Sequence, residues 1–348
     1  MKKRFSRPLN IGGVVVGGGA SIVVQSMTKT DTRDIPATLR QIQELAESGC
    51  RLVRLAVPDR EAALALAEIR KKSRLPLIAD IHFDYRLALL ALESGADALR
   101  LNPGNIGNRQ RVAQVVKAAK ERGAPIRIGV NAGSLPSDLE GPLAERLAQA
   151  ALREVEYLES LDFELIKVSA KAFDVPTTVE ANRILAERMP YPIHLGITEA
   201  GTPGAGTVRS AVGIGILLYE GIGDTIRVSL TTSDPREEVR AGTEILKALD
   251  LEKGPILVSC PTCGRCEVDN LPEIARKVED MLSGINRPLK VAVMGCVVNG
   301  PGECREADVG IACGKGKGAL FLKGRVIRSL EERELLPALS GELVRLAK

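Results

Sequence analysis

The chain has no tryptophan and only five phenylalanines, four tyrosines and two histidines among 348 residues. So few rings leave no platform on which the bases of a single strand could stack. An excess of one charge is also missing. The 48 basic residues face 44 acidic ones, and a net +4 is too mild to mark a nucleic-acid or membrane-surface protein. No run approaches the roughly 18 apolar residues that span a bilayer. The basic start M-K-K-R-F-S-R-P-L-N leads into a short apolar segment broken by glycines, not the core of a signal peptide. These absences describe a cytoplasmic protein, in which thiols stay reduced and grouped cysteines bind metals rather than pair.

The cysteines are grouped. Only Cys50 lies early; Cys260, Cys263, Cys266, Cys296, Cys304 and Cys313 fall in the last quarter. S-C-P-T-C-G-R-C (259–266) presents thiols from one tight turn, and M-G-C-V-V-N-G-P-G-E (294–303) brings another on a glycine-flanked loop. That arrangement suits an iron-sulfur cluster or zinc, and spacing alone leaves both open. At 348 residues the chain exceeds the roughly 250 to 300 that one core serves, so two domains are expected, 1–252 and 253–348, joined through D-L-E-K-G-P at 250–255.

The first 250 residues repeat one unit. β-branched runs begin near Ile22, Arg51, Pro76, Ala98, Ile126, Phe163, Tyr191 and Thr225, each followed by a stretch of helical period such as Arg60 to Lys72 or Arg109 to Arg122. Strand then helix, eight times, predicts a (β/α)8 TIM barrel, with a small α/β domain after it. The other candidate, an open doubly wound sheet, lacks a G-x-G-x-x-G turn after its first strand.

Strand parity locates the chemistry, because alternate residues of a barrel strand point inward. One parity collects Gln25, Met27, Arg54, Asp80, His82, Arg100, Asn102, Arg127, Asn131, Lys167, Ser169, Lys171, His194, Thr198, Arg227 and Ser229, with Glu199 just beyond. On this reading six cations, Arg54, Arg100, Arg127, Lys167, Lys171 and Arg227, face two carboxylates, Asp80 and Glu199. Such an excess requires a multiply charged anion, most simply a phosphate or diphosphate. N-P-G-N (102–105) and G-T-P-G-A-G-T (201–207) follow strand ends, where backbone amides can approach phosphate. G-K-G-K-G (314–318) lacks the spacing of a phosphate loop and reads as a basic hairpin turn.

The motifs Q-S-M-T-K-T-D-T-R-D (25–34), A-D-I-H-F (79–83), R-L-N-P-G-N-I-G (100–107), H-L-G-I-T-E-A-G (194–201), S-C-P-T-C-G-R (259–265) and M-G-C-V-V-N-G-P-G-E (294–303) occur in order across the whole chain. Together they resemble the flavodoxin- or ferredoxin-dependent 4-hydroxy-3-methylbut-2-enyl diphosphate synthases of the methylerythritol phosphate route to isoprenoids, in their short two-domain bacterial form. The resemblance implies a [4Fe-4S] cluster on Cys260, Cys263, Cys296 and Glu303. It implies a substrate pocket of Arg54, Arg100, Arg127, Asn131, Lys171, Glu199 and Ser229, with Gln25, Ser26, Met27, Asp80 and His82 close by, and catalytic roles for Glu303 and Glu199. Cys266, Cys304 and Cys313 depart from the family pattern, and C-x2-C-x2-C is also a ferredoxin-like spacing.

The implied reaction opens the ring of a cyclic diphosphate of methylerythritol and removes a hydroxyl, taking two electrons from flavodoxin or ferredoxin. Competing readings are another reductase or pterin-type barrel carrying a cluster, and a zinc-ribbon binding protein with an inert barrel. Six extended linker residues reach about 20 Å, less than the height of a barrel with its loops. A homodimer in which each cluster domain serves the partner's barrel is therefore expected, in line with the resemblance.

Overall fold

The structure, a computed structural model, describes residues 3–347 except 103–105, 107 and 286. Most of the N-P-G-N turn therefore lies outside the described residues. The chain divides after Leu251 into two compact units.

The first unit opens with a two-residue hairpin, β1 (Leu9–Ile11) and β2 (Val14–Val16), paired antiparallel. Gly12 and Gly13 both take positive φ, +54° and +95°, as this kind of tight turn requires. Ile11 and Val16 pack with Val23, Leu52, Ile78 and Ala98, the lowest inward residues of four barrel strands, and plug the barrel floor. The strand-helix repeat then runs β3 (Val23–Met27), α1 (Ile35–Glu47), β4 (Leu52–Ala56), α2 (Arg60–Lys72), β5 (Leu77–Asp80), α3 (Tyr85–Glu93), β6 (Ala98–Leu101), α4 (Arg109–Arg122) and β7 (Ile126–Asn131). It continues through α5 (Leu143–Glu159), β8 (Ile166–Lys171), α6 (Val175–Arg188), β9 (His194–Leu195), α7 (Pro203–Tyr219), β10 (Thr225–Ile226) and α8 (Arg236–Ala248). All eight strands β3–β10 are parallel, in the order β8-β7-β6-β5-β4-β3-β10-β9. A parallel bridge from Val168 to Ile193 joins the two ends, so the sheet closes as the eightfold repeat predicts.

Several helices start where a short polar side chain receives an orphan backbone N–H. Asp34, Asp59, Asp84, Asn108 and Asp174 cap α1, α2, α3, α4 and α6. Each helix then turns an apolar stripe onto the barrel; in α2 it is Ala62, Ala63, Ala65, Leu66 and Ile69. Burying a leucine such as Leu66 stabilises by about 1.5 to 3 kcal/mol, and truncating it to alanine costs about 2 to 5. Two starts differ from the sequence reading. The helical period of the sequence places the start of α6 at Val179, but it begins four residues earlier at Val175 because Pro176 suits a first helical turn, and α7 begins at Pro203, so most of G-T-P-G-A-G-T is helix rather than loop. No described helix is long and apolar enough to cross a membrane.

The second unit is a five-stranded sheet, β11 (Pro255–Ser259), β12 (Leu289–Met294), β13 (Val309–Cys313), β14 (Lys317–Leu322) and β15 (Arg325–Glu331), in sequence order. β11, β12 and β13 run parallel; β14 is antiparallel to β13, and β15 is antiparallel to β14. Helices α9 (Leu271–Leu282), α10 (Gly300–Arg305) and α11 (Glu332–Ala347) complete it. Val278, Val291, Val293, Val309, Ile311, Leu335 and Leu339 form its fully buried core. G-K-G-K-G is the β13–β14 turn, with the Gly314 N–H donating to the Lys317 carbonyl at 2.7 Å. α10 departs from the loop that its glycines and proline suggest, and Pro301 is well placed for a helix start.

A cationic barrel lumen and a thiol-bearing sheet end

Parallel pairing puts the lumen cations side by side. Met27 is in register with Arg54, Asp80 with Arg100, Arg100 with Arg127, Arg127 with Lys167, and Asn131 with Lys171. Arg54, Asp80, Arg100, Arg127, Lys167, Lys171, Gln25 and His194 are all buried. Two glycines leave room for these long side chains. A Cβ on Gly129 would stand 2.7 Å from Arg100 Nε, and one on Gly196 would stand 2.7 Å from Lys171 Nζ.

Asp80 anchors the group. Its Oδ1 accepts from Arg100 Nη1 at 3.1 Å, and its Oδ2 lies 3.3 Å from Arg54 Nε and 3.6 Å from Nε2 of the exposed His82. Burial resists ionisation, but Arg54, His82 and Arg100 outweigh it and hold the carboxyl well below the usual range. Arg54 also points Nη2 at Met27 Sδ, 3.0 Å away. Arg127 Nη1 donates to Ser169 Oγ at 2.7 Å. Other polar atoms have no partner among the described residues: Arg127 Nε and Nη2, Arg100 Nε, Lys167 Nζ, His194 Nε2 and both amide atoms of Gln25.

The electrostatic result is strain of one sign. Burial, only partly offset by Asp80, and the neighbouring guanidiniums lower Arg54 to about 10. Burial and then Arg54 and Arg100 lower Arg127 well below its ordinary value, and burial and then Arg127 and Arg227 do the same to Lys171. His194 is entirely buried, its Nδ1 2.8 Å from Thr225 Oγ1. Burial and the adjacent Lys171 and Arg127 keep its imidazole neutral, so it offers no imidazolium proton in this state.

The carboxylate inventory needs correcting. Glu238, in the first turn of α8, is 2% exposed, and its Oε2 lies 3.5 Å from both Arg227 Nη2 and Ser26 Oγ. It also accepts from the Leu230 N–H at 3.0 Å, and Lys29 Nζ is 3.3 Å away. Arg227 is thus partnered, and Ser26 is fully buried within this network. Glu238 was legible: with Gly242, Ile245 and Leu246 it lies on the buried stripe of α8, but an acidic pair in a first helical turn reads as ordinary dipole matching. Glu199 is exposed at φ +52°, a left-handed conformation that few non-glycine residues adopt, and Asn131, Met27 and Ser229 are half-buried.

In the second unit, β11 and β12 are in register up to Ser259 and Val293, which delivers Cys260 and Cys296 to the same sheet end. The Cys260 N–H donates to the Val293 carbonyl at 3.1 Å, and the Cys266 N–H closes the thiol turn on the Cys263 carbonyl at 2.8 Å. Thr262 inside that turn takes φ +49°. Arg265, through its backbone and side chain, lowers the Cys263 thiol; the N–H groups of Asn299, Val298 and Gly300 lower that of Cys296. Both favour thiolate, the form that ligates iron. Glu303 is exposed on α10, one turn after these amides. By contrast, burial pushes Cys304 and Cys313 up to about 12, as befits inert core thiols. Among the described residues no three of His, Cys, Asp or Glu gather as one metal ion would hold them, and that includes the expected ligands Cys260, Cys263, Cys296 and Glu303.

Residues 6–243 match the model of the GcpE TIM-barrel domain, and 256–345 that of the GcpE protein C-terminal domain. The chain is 61% identical over 347 residues to the 4-hydroxy-3-methylbut-2-en-1-yl diphosphate synthase (flavodoxin) of Dehalococcoides mccartyi strain CBDB1, covering 99% of both chains. It is 59% identical to the enzyme of that name from Geobacter sulfurreducens, over 98% of each. Among solved structures, the dihydropteroate synthase of Xanthomonas albilineans superposes with a TM-score of 0.52 at 15% identity, over 70% of this chain and 98% of that one, a likeness of fold alone. Two consecutive domain matches and near-full-length identity with these enzymes place the chain in the GcpE family, the flavodoxin-type 4-hydroxy-3-methylbut-2-en-1-yl diphosphate synthases.

Proposed function

We propose that the protein converts 2-C-methyl-D-erythritol 2,4-cyclodiphosphate to 4-hydroxy-3-methylbut-2-enyl diphosphate by reductive ring opening and dehydroxylation, with flavodoxin or ferredoxin as electron donor. The observation that carries this is the set of buried lumen donors on Arg100, Arg127 and Lys167 with no acceptor among the described residues. A diphosphate supplies many acceptors and the missing negative charge.

Each residue then has a task. Arg54, Arg100 and Arg127 neutralise and orient the diphosphate, while Lys171, Asn131 and Ser229 hold the rest of the substrate. Asp80 positions Arg54 and Arg100, which both reach its carboxylate. Glu199, at the mouth, orients the substrate hydroxyls or handles a proton. Cys260, Cys263, Cys296 and Glu303 would hold a [4Fe-4S] cluster, which when bound would supply the two electrons one at a time. The thiol-lowering amides and Arg265 fit such a ligand set, and all seven cysteines are free. Substrate has to meet both half-sites, so we assign the working form to a cytoplasmic homodimer in which each cluster-bearing unit serves its partner's barrel.

Anaerobic turnover with reduced flavodoxin tests the reading. The diphosphate product should form with two electrons consumed per molecule, and a cluster-loaded protein that leaves the cyclic diphosphate unchanged would refute it.

A further inference from the structure

Lys167 helps to mark the lumen as an anion site, but none of the tasks above falls to it. Its side chain lies in the lumen 1% exposed, and its Nζ has no partner among the described residues. It is the register partner of Arg127, whose Nε and Nη2 are also unpartnered. The charged and titratable groups acting on it are Arg127 from β7, Arg54 from β4, His194 from β9 and Asp224 at the foot of β10. Only Asp224 is negative. Its oxygens already receive Ser6 Oγ at 2.8 Å and the Ile193 N–H at 2.9 Å.

Arginine keeps its proton in any protein setting, whereas a buried lysine can release one. An empty lumen crowded with guanidiniums therefore sheds charge at its lysines. We propose that Lys167 is the charge-compensating residue of the barrel, taking up a proton when the diphosphate binds beside Arg127, so that affinity for the substrate declines as pH rises. The inference rests on the diphosphate reading above and deepens it. Burial first, then Arg127 and Arg54, bring the amine down to about 7 in the empty barrel. A dianion next to Arg127 reverses the sign of the local field and restores the ammonium. Above pH 7, binding then carries a proton with it, and the dissociation constant climbs by up to about tenfold per pH unit until the value of the bound state is reached. The cyclic diphosphate keeps one strongly acidic group on each phosphorus and does not titrate in this range, so the protons belong to the protein.

The test is titration calorimetry of the oxidised, cluster-loaded enzyme with the cyclic diphosphate at pH 8, in buffers of different ionisation enthalpy. Wild type should take up protons, and Lys167→Met should take up fewer, by up to one per site. Lys167→Met should also lose much of the pH dependence between 7 and 9. Lys167→Arg, unable to release its proton, should lose the same uptake while binding more tightly than wild type at pH 9. Equal uptake by wild type and Lys167→Met overturns the proposal and leaves the proposed function standing. A wild-type dissociation constant that is flat from pH 7 to 9 overturns it with no variant needed. No binding at any pH overturns both.

Discussion

Gly129 lies directly against Arg100: a methyl group there would stand 2.7 Å from Nε, 3.1 Å from Nη2 and 3.3 Å from Cζ. All three atoms belong to one side chain, so Gly129→Ala displaces the guanidinium that Asp80 holds without meeting backbone. The melting temperature should move little, while KM for the cyclic diphosphate rises about tenfold, the equivalent of one charge-assisted contact. An unaltered KM would mean that Arg100 does not touch substrate.

Arg54→Leu, Arg100→Leu and Arg127→Leu each remove a contact worth about 1.5 to 3 kcal/mol, or roughly 10- to 100-fold in affinity. The cluster spectrum should be unchanged in all three. If only folding suffers and affinity holds, these arginines are structural.

The thiols should sort by the environment that each occupies. Anaerobically prepared protein should contain about four iron and four sulfide per chain. Cys260→Ser, Cys263→Ser and Cys296→Ser should lose them, while Cys304→Ser and Cys313→Ser, whose thiols burial holds at about 12, should not. Retention of iron by Cys296→Ser and its loss from Cys266→Ser would move the third ligand.

Stability should carry the signature of Lys167. Its folded value of about 7 lies below the ordinary lysine value, so between the two the unfolded chain binds more protons and stability rises with pH. The slope reaches about 1.4 kcal/mol per pH unit. Thermal melts of the empty enzyme should show several degrees of relative gain in wild type between pH 7 and 9 that Lys167→Met lacks.

A Glu303→Ala chain mixed with an Arg127→Leu chain tests the shared assembly. Cross-subunit sites leave one intact site per mixed dimer, hence about half of the wild-type activity per dimer. Verified heterodimers without recovery would exclude the arrangement.

Much of this was legible because two periods dominate the chain. The inward parity of Arg54, Asp80, Arg100 and Arg127 follows from alternation along strands, and it survives even where regular pairing stops, as at Arg227 after the two-residue β10. The hairpin at Leu9–Val16 is weakly encoded because its strands are only three residues long, although two glycines between apolar runs announce such a turn. Glu238 was hidden for another reason. A helix stripe shows which residues are buried, and only the tertiary structure shows that Arg227 and Ser26 share its carboxylate. Proximity of thiols to amides, as at Cys296, is likewise set by loop geometry that no spacing encodes.

The hairpin under the barrel has an electrical consequence. With Ile11 and Val16 seated against Val23, Leu52, Ile78 and Ala98, one end of the lumen is shut by hydrocarbon. Water can solvate the charges above it only from the mouth, the side from which ligand also arrives. Uncharged residues at the start of the chain thereby set the permittivity that Arg127, Lys167 and His194 experience. Exchanging Ile11 or Val16 for a small polar residue would admit water from below, return Lys167 toward an ordinary lysine, and uncouple proton uptake from binding with no lumen side chain altered.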